Sequence, residues 1–176
     1  MAVHNVISHE PSPSFRVPGF TEEGLRIPDE VQSLRRERNL LIYKNKNPLL
    51  WVFFMGGTGT GKSTVFDAVC GAVVSAVGVE RPKTAGAVGF IHEKAAIEPG
   101  FPFPEFYVRV HPLDPSGVFA PLTGEPGVIH VWVHQRPEWA SVVLMDTPDV
   151  DSVEIANRDL VETLRRLADL VVFVTS

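Results

Sequence analysis

Three runs of almost unbroken apolar character mark the chain: Leu49 to Met55, Ala140 to Met145 and Leu170 to Val174. Runs of this length without alternation predict strands covered on both faces, as in a parallel sheet flanked by helices. The three are expected side by side in one sheet. Val128 to His134 alternates in part and predicts another strand, with Gln135, Arg136, Pro137 and Glu138 as a hairpin connection into Ala140. Phe106 to His111 predicts a short strand at an edge of the sheet, and Ala87 to His92 either a short strand or more of the loop that precedes it.

Helical periodicity appears three times. From Asp29, a capping residue, Val31, Leu34 and Leu41 share a face, and Asn45, Asn47 and Pro48 close the segment. From Lys62 to Ala76, Phe66, Val69, Val73 and Val77 recur on one side until Gly78. From Arg158 to Ala168, Leu160, Leu164 and Leu167 face inward behind Asn157 as cap. Residues 1–28 contain four prolines and no sustained period, and residues 95–125 are proline-rich with Phe101, Phe103, Phe106 and Tyr107 among them. The latter read as an elaboration on a sheet edge or as a stiffened loop with its aromatics tucked onto the core. The fold class expected is α/β in three layers, with a mostly parallel central sheet and an antiparallel strand at its edge. Its divisions are an irregular lead over 1–28, a helix over 29–47 and a domain over 49–176. The strand rhythm stops at Ser176 without a following crossover, so the domain is expected to be incomplete there.

Composition narrows the partners. Hydrophobic residues make up 44% of 176, which predicts a packed core rather than disorder. The net charge of −5 carries no strong nucleic-acid signal. Arg35, Arg36 and Arg38 read as the solvated side of a helix. The single cysteine, Cys70, reads as a small buried apolar residue. No stretch reaches the roughly 18 apolar residues of a membrane span, and the first residues lack a secretory layout, so a cytoplasmic location is expected.

The chemistry is concentrated in GGTGTGKST, Gly56 to Thr64, which has the spacing G-x-x-x-x-G-K-[ST] between an apolar strand and a helical segment. Glycines let the backbone wrap closely enough to aim successive N–H groups at a phosphate chain, and the helix start adds its own unpaired N–H groups. Lys62 would reach phosphate oxygens and Ser63 would ligate Mg²⁺. A bland glycine-rich turn is the alternative, but it does not require the strand-turn-helix context. Asp146 ends the second apolar run, where such a protein holds Mg²⁺ through water; a simple turn cap is the other reading.

GGTGTGKST, the segment Arg81-Pro82-Lys83-Thr84 and Asp146-Thr147-Pro148-Asp149 resemble, in order, the first signature, switch I and third signature (D-x-x-G) of the translation-factor-related P-loop GTPases. The likeness is closest to bacterial dynamin-like and related large GTPase domains and spans Leu49 to Ser176. It implies a P-loop fold and GTP/GDP with Mg²⁺. The phosphates would lie against Gly56, Gly57, Thr58, Gly59, Thr60, Gly61, Lys62, Ser63 and Thr64, with Asp146 and Asp149 nearby. The metal would be held by Ser63 and Thr84 directly and by Asp146 through water, and Lys62 and Thr84 would serve hydrolysis. It also implies a homodimer or activating partner, and peripheral membrane association. The chain departs from the pattern in three ways. The guanine-reading [NT]-K-x-D does not occur, Asp149 stands where D-x-x-G has glycine, and Gly59 stands where potassium-activated relatives have asparagine. Slow hydrolysis is therefore expected. An ATP-binding ATPase or kinase, and a nucleotide-binding scaffold without turnover, remain the other readings. Thr84 bonding only its own turn is the plain alternative to a switch.

Overall fold

A computed structural model describes residues 22–75, 86–97, 100–112, 119, 125, 127–149 and 155–175, the side chains of 22–25 and 155–159 excepted. Two compact units divide it, Met1–Arg36 and Glu37–Ser176. Helix α1 (Glu22–Lys46) runs across the division and contains Pro28. It begins seven residues before Asp29, which lies inside it rather than capping it. Pro28 lies in the second turn of the helix, where it removes one N–H that would otherwise bond the carbonyl four residues earlier. In the first unit, Ile27, Val31 and Leu34 are exposed, so the face they share is not a buried one.

The second unit is a three-layer α/β domain around a six-stranded sheet. Its strands are β1 (Leu50–Gly56), β2 (Ala87–His92), β3 (Tyr107–His111), β4 (Val128–His134), β5 (Val142–Asp146) and β6 (Leu170–Val174), in the spatial order β3-β4-β2-β5-β1-β6. As the apolar runs predicted, β5, β1 and β6 are neighbours, and both pairings are parallel. Alternation along β1 serves two cores at once. Trp51, Phe53 and Met55 join Tyr43, Leu160 and Leu164 on one face, while Val52 and Phe54 join Phe66, Cys70 and Leu144 on the other. Helix α2 (Lys62–Cys70) therefore covers one face, and α3 (Ile155–Arg165) with the end of α1 covers the opposite face. Leu160, Leu164 and Leu167 are buried as expected, although α3 starts at Ile155 and places Asn157 inside it.

The antiparallel pairing is not at an edge. It joins β2 to β5 in the middle of the sheet, Val88 opposite Asp146 through Ile91 opposite Val143, and β4 and β3 continue parallel to β2. The segment after β4 is consequently no hairpin, because β2 lies between β4 and β5; the chain crosses over β2's end through a 3₁₀ turn, Pro137–Trp139. β3 is an edge strand; Phe103 just before it is buried in the core and Phe101 and Phe106 are half-buried against it, whereas Tyr107 is exposed, and residues 98–99, 113–118, 120–124 and 126 of the proline-rich region lie outside the described residues. Tyr43 anchors this part by donating its hydroxyl to the Ile97 carbonyl at 3.0 Å. β6, the other edge, leaves Leu170, Val171 and Phe173 exposed despite its apolar character.

Helix α2 is also shorter than its periodicity predicts. It stops at Cys70 because Gly71 adopts the left-handed conformation, and the Asp67 carboxylate accepts the N–H groups of Val74 and Ser75 at 3.0 Å each. Val69 and Val73, expected on the packed side, are exposed; the buried side carries Lys62, Phe66, Asp67 and Cys70. Val77, Gly78 and the Arg81 to Thr84 segment lie outside the described residues.

Candidate functional site

The register of β1 with its neighbours creates the site. Gly56, its last residue, pairs with Val174, and two positions earlier Phe54 pairs with Asp146, so the carboxyl ends of three parallel strands meet where β1 enters the loop. Thr147 locks this junction, donating both its N–H (3.3 Å) and its hydroxyl (2.9 Å) to the Phe54 carbonyl. At the base of β1, Asp169 accepts the Trp51 N–H at 2.9 Å and pairs with Lys44.

From Gly57 the backbone turns over itself, closed by the Thr60 hydroxyl on the Gly57 carbonyl at 3.0 Å. Gly59 and Gly61 have φ of 78° and 83°, a region that side-chain-bearing residues avoid. Gly61 then caps α2, whose first intrahelical bond runs from Val65 N–H to the Gly61 carbonyl at 3.0 Å. Gly57, Thr58, Thr60 and Ser63 are half-buried, and Gly59, Gly61 and Thr64 are exposed, so the loop is accessible to solvent. Gly56 is fixed by crowding instead. A Cβ there would sit 2.5 Å from the Val174 carbonyl oxygen and 2.9 Å from Thr60 Oγ1. Gly56→Ala is therefore expected to destabilise the domain by about 1–3 kcal/mol through a forced shift of β6 or the loop; an unchanged urea midpoint would show that the loop tolerates the methyl group.

Lys62 does not extend along the loop. It is 3% exposed and donates to Asp146 Oδ1 at 2.7 Å and to the Thr147 carbonyl, with Asp149 Oδ1 at 3.9 Å. Asp146 is fully buried, and its second oxygen accepts the Ser75 hydroxyl at 2.8 Å. Burial pushes the Asp67 carboxyl above its ordinary value, opposed by the Ser75 and Val74 N–H groups. Burial, with the Asp67 and Asp146 charges, also raises Cys70, which holds that thiol protonated and fits its reading as a core residue.

Lys62, Asp146 and Asp149, predicted from separate stretches, thus come together beside Gly56 to Thr64. Thr84 lies outside the described residues. Asp67 and Ser75 join Asp146 in the structure but were not legible as its partners, because neither lies on the apolar face that the sequence period marks. Among the described residues no group of three or more His, Cys, Asp and Glu is arranged to hold a metal, and no helix is long and apolar enough to cross a membrane. Comparison of the chain with protein-family models, curated proteins and solved structures found no match.

Proposed function

We propose that the domain is a P-loop GTPase of the translation-factor-related class, which binds GTP or GDP with Mg²⁺ and hydrolyses GTP slowly. The observation that supports this most is the meeting of Lys62 and Asp146 at 2.7 Å, one the first residue of α2 after the glycine-rich loop and the other at the end of the parallel strand beside β1. Open α/β sheets take ligands at the carboxyl ends of their strands, and a basic and an acidic group at that place suit a phosphate chain and its metal. The residues fit a phosphate in a second way, since the left-handed Gly59 and Gly61 carry no side chains and a Cβ at Gly61 would meet open space.

In this reading Lys62 exchanges Asp146 and the Thr147 carbonyl for β and γ oxygens, and the loop N–H groups surround the same phosphates. Bound Mg²⁺ would neutralise charge developing on the phosphates during attack by water. Ser63 would hold it directly and Asp146 through a water, with Thr84 as a further direct ligand. Mg²⁺ is ordinarily held by one or two protein groups plus phosphate and water, so no all-protein cluster is required. Once Lys62 leaves, the buried Asp146 charge needs the metal shell as its partner, so nucleotide and Mg²⁺ binding should reinforce each other. Asp149, close to Lys62, would repel a γ phosphate unless turned to the metal, which accords with slow turnover.

Calorimetric titration with a non-hydrolysable GTP analogue, with and without Mg²⁺ and in competition with ATP, tests the reading. Mg²⁺-dependent binding is expected. A clear preference for ATP would replace GTPase by an ATP-binding enzyme, binding with no turnover of GTP would leave a nucleotide-binding scaffold, and no binding of either nucleotide would refute the phosphate site.

A further inference from the structure

Helix α2 contributes to the strand end twice. Its first residue, Lys62, reaches Asp146 Oδ1 directly. Further along the same buried side, Asp67 Oδ1 accepts the N–H groups of Val74 and Ser75, folding the chain after Gly71 back toward β5. Ser75 arrives where its hydroxyl donates to Asp146 Oδ2 at 2.8 Å. The Asp146 carboxylate is therefore gripped at both oxygens, and the four side chains involved are 0–7% exposed. Rotating that carboxylate would break a hydrogen bond to a charged group where little water is at hand to replace it. A turn that served only to close α2 would have no use for a hydroxyl aimed at a carboxylate 71 residues further along the chain.

We propose that Asp67 and Ser75 are positioning residues: they fix the orientation of Asp146, so that Oδ1 faces Lys62 before a ligand binds and stays directed at the loop when Lys62 moves away. Ser75 acts on Asp146 directly, and Asp67 acts by holding Ser75. The part of this inference that concerns Mg²⁺ rests on the function proposed above; the part that concerns Lys62 does not.

The test uses the chain 1–176 with Ser75→Ala, Asp67→Ala and Ser75→Thr. Without nucleotide, the acetylation rate of each lysine is followed by mass spectrometry, with exposed Lys46 as reference and alkylation of buried Cys70 as a monitor of wholesale opening of α2. Ser75→Ala and Asp67→Ala are expected to raise Lys62 labelling by about tenfold, roughly the loss of one charge-assisted hydrogen bond. Lys46 and Cys70 should be unchanged, and Ser75→Thr should restore protection. If Asp67→Ala does not fold, Ser75→Ala decides alone. Lys62 as protected in Ser75→Ala as in the parent chain would overturn the proposal, as would a rise matched by Cys70. With GTP, Ser75→Ala should raise the Mg²⁺ concentration for half-maximal binding about tenfold, and Ser75→Thr should bring it back. A parent chain that binds no nucleotide would refute the proposed function, and the labelling result would still decide this one.

Discussion

Lys62→Ala is expected to abolish triphosphate binding and also to lower folding stability by roughly 3–5 kcal/mol. From the sequence alone this lysine follows a loop and points toward a ligand, so its removal should leave the fold intact. The structure gives it a second task. Its ammonium is the cation beside a fully buried Asp146, 2.7 Å away, and it also satisfies the Thr147 carbonyl at the strand junction. Alanine would leave a carboxylate without a counter-charge in a place water scarcely reaches, the situation in which breaking one half of a pair costs far more than the pair itself contributes. The companion variant separates the two tasks. Adding Asp146→Asn removes the orphaned charge, so Lys62→Ala with Asp146→Asn should regain most of the lost stability while still failing to bind triphosphate. Urea unfolding and calorimetry on the parent and both variants make the comparison. A single variant as stable as the parent would mean that the ion pair does not hold the strand end, and an unchanged affinity for triphosphate would remove Lys62 from the site.

The loop was legible because its requirements are local. Every fixed position of G-x-x-x-x-G-K-S serves backbone geometry or a side chain within nine consecutive residues, and the apolar run before it announces the strand. Asp146 was legible as a strand end. Its partners were not, since Lys62 and Ser75 lie 84 and 71 residues away in sequence and meet it only through the order of the sheet. The same limit explains the sheet. Gln135 to Glu138 look like a hairpin connection because a short link usually joins neighbours; nothing local records that β2 is inserted between β4 and β5.

Helix α2 shows a different limit. Phe66, Val69, Val73 and Val77 keep a helical period through Gly71, and that period masks the one local stop signal, a glycine. The stop comes from side-chain chemistry: Asp67 satisfies two N–H groups that a continued helix would have bonded to carbonyls, and Gly71 takes the left-handed turn that makes this possible. β6 is the converse case. Its composition reads as a central strand, yet it is an edge, because hydrophobicity records a tendency to be covered and not what covers it.

His134 is expected to withdraw up to about 3 kcal/mol of stability as pH drops from about 6.5 to about 4, opposed by Asp67, whose raised carboxyl takes up a proton more readily in the folded chain than in the unfolded one. His134 ends β4, is 1% exposed and stacks on Phe90 with ring centroids 4.1 Å apart. Its Nδ1 accepts the Arg136 N–H at 3.1 Å, which assigns the proton of the neutral ring to Nε2, an atom with no partner among the described residues. A second proton would have to enter Nδ1 at the expense of that hydrogen bond, in a site where burial, His92 and Arg136 all disfavour positive charge and only Glu138 favours it. These push the ring down from 6.5 to about 4. Because the folded form resists a proton that the unfolded chain accepts, this share of the stability is fully present above pH 6.5, declines at up to about 1.4 kcal/mol per pH unit below it, and levels off under pH 4. His111 and His130, hydrogen-bonded to each other at 2.9 Å and also lowered chiefly by burial, add to the same trend. His134→Asn separates the contributions, since its side-chain oxygen can still accept from Arg136 while the titration is gone. The variant should start from lower stability, having lost the stacked ring, but its urea midpoint should depend less steeply on pH between 6.5 and 4. Parallel curves for parent and variant would show that His134 is not the group that acid acts upon.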